Sequence, residues 1–125
     1  MRGNVEVARG LPDLSIRQPY ATRIVCKSRG RILFLPVSDI QWIGAEANYV
    51  RICTTQATHL LRRSMKRLEK TLNPEEFLRV HRSTIVNLHY VKEVRREPDG
   101  DWAVVMVDGQ RIAMSRTYRA RLPMG

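Results

Sequence analysis

The stretch "FLRVHRSTIVNLHYV", Phe77 to Val91, sets His81, Arg82 and Ser83 between two apolar runs and places Asn87 inside the second run. "LRV" and "TIVNL" are short and rich in β-branched residues, which predicts two strands. The polar cluster is then the connection between them. A connection of that composition suits a catalytic site, a nucleic-acid contact or a plain polar turn. Asn87 is expected to cap or bridge backbone, because it sits within an apolar run.

Outward from this stretch, the same strand signature recurs. "TRIVCK" and "RILFLPV" flank "SRG" (28–30) and read as a hairpin. "SDIQWIGAE" continues with Ile40, Trp42 and Ile43, "AEAN" (45–48) reads as a loop, and "YVRICT" and "ATHLLRR" read as strand and return strand. "YVKEVRRE", "WAVVMV" and "QRIAM" are separated by "EPDGD" and "VDGQ", whose Asp-Gly pairs suit hairpin turns. One segment has helical spacing. Leu61, Met65, Leu68 and Leu72 form a single apolar stripe, with Ser64 as N-cap and Asn73-Pro74 as stop. "NPEEF" adds a short helical turn with Asn73 as its cap. "SRTYRARL" (115–122) reads as a short C-terminal helical turn capped by Ser115. The expectation is a mostly β domain of about ten short strands in antiparallel sheets, with one short helix and that final turn. Residues 1–20 show no sustained periodicity and read as a leader or linker, so the domain is expected over 21–125.

The chain has 125 residues, enough for one domain with its own core. Basic residues number 22 against 12 acidic, a net charge of +10. Only Lys27, Lys66, Lys70 and Lys92 are lysines, and the rest are arginines. An arginine surplus favours bidentate contact with phosphates or guanine edges, although net charge alone does not specify a partner. Cys26 and Cys53 match no metal or redox spacing and are expected as buried thiols. No signal-peptide pattern opens the chain, and "ILFLPV" is far too short to span a bilayer. A soluble, cytoplasmic protein without membrane contact is expected.

His59, His81 and His89 carry no metal-ligand spacing, and no Gly-rich phosphate loop or H-E-x-x-H occurs. No catalytic residue, metal or cofactor is therefore expected. The cations do cluster. Arg62, Arg63, Lys66 and Arg67 surround the first turn of the expected helix, where positive charge opposes the helix dipole. Arg79, His81, Arg82 and Ser83 form a second group, and Arg116, Arg119 and Arg121 a third. Asn48 and Tyr49 stand in the first polar loop. Asn and Arg forks match adenine and guanine in the major groove. A solvated helix face is the bland alternative for the first group.

"DIQWIGAEANYVRICT", "LLRRSMKRLEKTLNPEEFLRVHRSTIVNLHYVKEV" and "DGQRIAMSRTYRARL" together resemble the LytTR DNA-binding domain of LytR/AlgR-type bacterial response regulators. The likeness runs from about Thr22 to Leu122, and "FLRVHRSTIVN" is its most specific part. It implies sequence-specific binding of double-stranded DNA by loops placed in successive major grooves, in transcription regulation. By position, it implies base contacts from Asn48, Tyr49, Arg82 and Arg116. Arg63, Lys66, His81, Ser83 and Arg119 become candidates for phosphate contact or loop support. It also implies paired direct repeats in promoter DNA, with a dimer forming on them. Some twenty residues precede the likeness, too few for the receiver domain of such regulators, so the expectation is either an isolated effector domain, with a receiver or sensor module missing from this chain, or a short stand-alone member whose control lies elsewhere. The alternatives are a basic β-domain that binds RNA or a protein partner. RNA modules usually offer aromatic platforms, and aromatics make up only 6% here.

Overall fold

The structure, a computed structural model, describes residues 20–122. All of the expected leader except Tyr20 lies outside the described residues. Ten strands form: β1 (Arg23–Ser28), β2 (Arg31–Pro36), β3 (Ile40–Glu46), β4 (Tyr49–Thr54), β5 (Thr58–Leu61), β6 (Phe77–His81), β7 (Thr84–Asn87), β8 (Val91–Arg96), β9 (Trp102–Met106) and β10 (Arg111–Met114). Among the described residues two short α-helices join them, α1 (Met65–Thr71) and α2 (Arg116–Arg119). Every strand pairing is antiparallel. The strands make a β1–β2 hairpin, a central sheet in the order β5-β4-β3-β7-β6, and a three-stranded sheet in the order β10-β9-β8.

Both faces of the central sheet are covered. Ile43, Ile52 and Ile85 pack with Ile24 of β1 and with Met65, Leu68 and Leu72 around α1. On the other face Val80 and Val86 pack with Val104, Met106, Ile112 and Met114 of the third sheet, with Trp42 and Trp102 against them. Adjacent residues Ile85 and Val86 therefore enter different cores, which is why "TIVN" reads as a continuous apolar run. Asn87 is 1 % exposed. Its Nδ2 donates to the Ile40 carbonyl at 2.8 Å, and its Oδ1 accepts the His89 amide at 3.0 Å. It bridges backbone, as expected. Asn87→Leu leaves the buried Ile40 carbonyl without its partner and removes the bond to the His89 amide. It is expected to cost about 1.5–4.5 kcal/mol, from roughly 1–3 kcal/mol for the buried carbonyl and about 0.5–1.5 kcal/mol for the second hydrogen bond. Urea unfolding measures this directly.

Two local expectations change. Leu61, expected both in the return strand and on the helical stripe, lies in β5, where it pairs with Val50, and the helix begins at Met65 as the Ser64 cap implies. Ser64 is its N-cap and accepts the Arg67 amide at 3.1 Å. "NPEEF" forms the expected single turn, with the Asn73 carbonyl accepting the Phe77 amide and the Asn73 side chain accepting the Glu75 amide at 2.9 Å. "AEAN" is not a four-residue loop. β3 continues through Glu46, and only Ala47 and Asn48 turn, with Ala47 at φ 55. Gly100 and Gly109, both at φ 93, carry the two expected Asp-Gly turns.

Gly44 lies two residues before the end of β3, where that turn begins. A Cβ there would stand 2.7 Å from Trp42 Cζ3. Gly44→Ala is expected to displace the indole and cost about 1–3 kcal/mol. A changed tryptophan emission spectrum together with a lower unfolding midpoint would register it.

Candidate nucleic-acid interface

The sheet register decides which connections share an end. β3 and β4 meet at the pair Glu46 and Tyr49, so the Ala47–Asn48 turn marks one end of the central sheet. Thr84 of β7 lies opposite Gly44, which puts the Arg82–Ser83 turn at that same end. Leu61 of β5 lies opposite Val50, so Arg62, Arg63 and Ser64 leave the sheet there too. Two backbone bonds tie the segments together. The Ala45 amide donates to the Ser83 carbonyl at 2.8 Å, and the Ser115 amide donates to the Val80 carbonyl at 2.9 Å. Arg116, the first residue of α2, joins the row by the second bond.

The result is a rim made from chain segments far apart in sequence. Arg62, Lys66, Arg67, Arg82 and Arg116 are exposed on it, and Arg63 is half-buried. Glu46 is its nearby acid, and the Arg51 guanidinium holds that carboxylate in an ion pair. Both members are exposed, so the pair contributes little stability. It does neutralise negative charge beside the first turn. Asn48 is exposed at the turn itself. Tyr49 is 42 % exposed, and the Arg62 guanidinium lies over its ring at 6.0 Å. Between the β3–β4 turn and the start of α1 runs an open cleft of about 360 Å³ lined by Asn48, Tyr49, Arg62 and Arg63 among others.

Each expected support residue has a place. His81 Nδ1 accepts the Ser83 amide at 3.2 Å and lies 2.9 Å from the Ser83 hydroxyl. These bonds close the Arg82–Ser83 turn. Ser115 caps α2 by accepting the Tyr118 amide at 3.3 Å. Arg119 is half-buried, with its guanidinium 4.2 Å from the centroid of the Trp102 ring. Its Nε is buried without a hydrogen-bond partner among the described residues. Arg119 thus packs against the third sheet more than it extends along the rim.

The sequence placed Arg79 in the second cationic group but gave no role to it, and it is the residue that joins these parts. Its side chain is only 12 % exposed. Nε donates to the His81 carbonyl at 3.2 Å, one terminal nitrogen donates to the Arg82 carbonyl, and the other meets Glu69 Oε1 at 3.0 Å. The guanidinium also lies 5.5 Å from the Tyr118 ring centroid. The second oxygen of Glu69 takes Arg121 at 3.1 Å, and Arg121 stacks on the other partner of the group, Tyr118, at 4.4 Å. One planar fork therefore ties the Arg82 turn to both helices, a task for which a lysine lacks the geometry. The sequence signal was the Arg two residues before His81, but nothing local names Glu69 or Tyr118 as its partners.

Cys26 is buried and Cys53 half-buried, and both are free thiols. Burial pushes the Cys26 thiol up, and the Arg63 guanidinium partly opposes this. Burial also raises Cys53, against the Thr58 hydrogen bond and Arg51. Thiolate is the reactive form. Both thiols are therefore expected to alkylate slowly with iodoacetamide in the folded chain and quickly in urea, which mass spectrometry reads. Among the described residues, no group of three His, Cys, Asp or Glu side chains is placed to hold a metal ion. No helix among them is long and apolar enough to cross a membrane.

The model of the LytTr DNA-binding domain family matches residues 30–124. The sensory transduction protein LytT of Bacillus subtilis (strain 168) is 33% identical over 91 residues, covering 73% of this chain and 38% of that protein. The transcriptional regulatory protein LytR of Staphylococcus aureus (strain N315) is 31% identical over 88 residues, 70% of this chain and 36% of that protein. The chain thus spans well under half the length of these relatives. A solved LytTr DNA-binding domain, from a methyl-accepting/DNA response regulator of Bacillus cereus, superposes with a TM-score of 0.73. It is 22% identical and covers 81% of this chain and 93% of that one.

Proposed function

We propose, from the premise that this chain belongs to the LytTR DNA-binding domain family, that the rim of its central sheet reads duplex DNA. The observation that carries the reading is the pair of backbone bonds, Ala45 to Ser83 and Ser115 to Val80, which line three cationic or polar segments along one sheet end. Asn48, Tyr49, Arg82 and Arg116 contact base edges in successive major grooves, where Asn and Arg forks match adenine and guanine. Arg63 and Lys66 contact phosphate. His81, Ser83 and Arg119 hold the loops in position. The domain, residues 21–125, serves as a transcription regulator in the bacterial cytoplasm, by binding rather than catalysis. It pairs on direct repeats in promoter DNA, under a receiver or sensor module supplied from outside these residues.

Selection from a random duplex pool at physiological salt, with sequencing of the bound fraction, tests this. The expected result is one motif occurring twice about one helical turn (~10 bp) apart, on one face of the duplex. Enrichment of no motif, with binding that vanishes as salt rises, leaves only phosphate attraction and sinks the reading.

A further inference from the structure

The β1–β2 hairpin lies beside the rim and has no part in the reading above. Cys26 of β1 donates its thiol to the Leu60 carbonyl of β5 at 3.3 Å. Leu60 pairs with Arg51, and Arg51 with Gly44, so Cys26 stands level with Gly44. The base of the hairpin lies at the other sheet end. There the Ala21 amide bonds to Thr71 at the end of α1, and the Val37 amide bonds to Thr22. β1 therefore climbs toward the rim. Two residues beyond Gly44 comes Glu46 and then the Ala47–Asn48 turn. Two residues beyond Cys26 comes Ser28 and then the Arg29–Gly30 turn.

The tip is built to be stiff. Ser28 pairs with Arg31 across a two-residue turn, and both central residues have positive φ, 45 for Arg29 and 78 for Gly30. Two positive φ values match the right-handed twist of the flanking strands. The tip is also purely cationic. Lys27, Arg29 and Arg31 are exposed, and positions 23–36 contain no acidic residue. None of the three has an ion-pair partner among the described residues. A tight turn with three free cations is poorly suited to reading base edges but well suited to a row of phosphates.

We infer that the β1–β2 tip is a phosphate-binding arm, in which Lys27, Arg29 and Arg31 hold the DNA backbone outside the segment read by the Asn48 loop. The inference rests on the rim facing DNA. It lengthens the contact line beyond β5, so the arm adds affinity and salt dependence without adding base preference.

The test is the salt dependence of binding to a selected duplex, for the parent chain, for Arg29→Asn with Arg31→Gln, and for Arg23→Gln with Lys70→Gln. Asn accepts positive φ, so the first pair keeps the turn. The second pair removes the same charge from the opposite sheet end. Each lost phosphate contact lowers the slope of log K against log salt by about 0.9. The tip pair is expected to flatten the slope by about 1–2, with unchanged base preference, and the control pair to leave it near the parent value. A parent-like slope for the tip pair overturns the arm. So does an equal loss in the control pair, because net charge alone then explains the effect. Arg82→Ala and Arg116→Ala, run alongside, keep the two readings apart. If they bind as tightly as the parent, the rim reading has failed. If they weaken binding while the tip pair does not, only the arm has.

Discussion

The double replacement Arg82→Ala with Arg116→Ala is expected to weaken binding to a selected duplex by about 2–6 kcal/mol. That sum follows from roughly 1–3 kcal/mol for each bidentate contact between an Arg fork and a base edge. Both side chains are exposed at the rim, and neither guanidinium makes an ion pair among the described residues. The fold should therefore tolerate the change, with a thermal midpoint close to the parent. Affinity for random duplex should fall much less, because the remaining cations still meet phosphate. The specificity ratio is thus the sensitive quantity, read by fluorescence anisotropy on matched and scrambled duplexes at one salt concentration. Equal losses on both duplexes would make the two arginines phosphate contacts and remove them as readers.

Arg79→Met is expected to weaken specific binding at least tenfold although Arg79 lies beneath the rim. The replacement keeps an unbranched apolar stem but withdraws the donors to the His81 and Arg82 carbonyls and to Glu69. Hydrogen bonds from charged groups contribute about 1.5–3 kcal/mol each, and the bond to Arg82 is exposed to water, so the two part-buried bonds set a stability loss of about 3–6 kcal/mol. Stability loss alone does not predict lost specificity. Ile52→Val removes one methylene from the core at a cost of about 0.5–1.5 kcal/mol and should leave base preference intact. Hydrogen exchange adds a local readout. In Arg79→Met the amides of Ser83 and Thr84 should exchange faster, whereas in Ile52→Val they should follow global stability. Arg79→Lys restores charge without the fork and is expected to recover little of the affinity. Parent-like binding by Arg79→Met would show that the turn holds itself through His81 and Ser83.

Much of the architecture is legible because its signals are local. The Asp-Gly turns, the Ser64 and Ser115 caps and the period-two strands each depend on a few neighbouring residues. Asn87 was legible as a bridge because a polar residue between Val86 and Leu88 needs a partner if buried. The reading failed where one element borrows stability from another. Leu61 fits a helical stripe, but pairing with Val50 places it in a strand. Ala45 and Glu46 have weak strand preference, yet β3 extends through them because β4 and the Ser83 carbonyl take up the backbone. The site shows the same division. "HRS" announces a polar turn, and its closing bonds are local. Its brace is not, since Arg79 meets Glu69 ten positions earlier and Tyr118 far downstream. Arg119 was grouped with the cations by charge alone, and only the fold brings Trp102 under it. Charge is visible in a sequence, whereas which charges share one sheet end depends on strand register.

The most direct measurement is a map of backbone amide shifts in nitrogen-15-labelled protein as a selected duplex is added. The two ends of the central sheet give it an internal control. The account predicts large changes at Asn48, Tyr49, Arg82, Ser83 and Arg116, and small ones at Ser38, Gln56, His89 and Asp108. Changes concentrated at that second set, with Arg82 and Arg116 undisturbed, would contradict it.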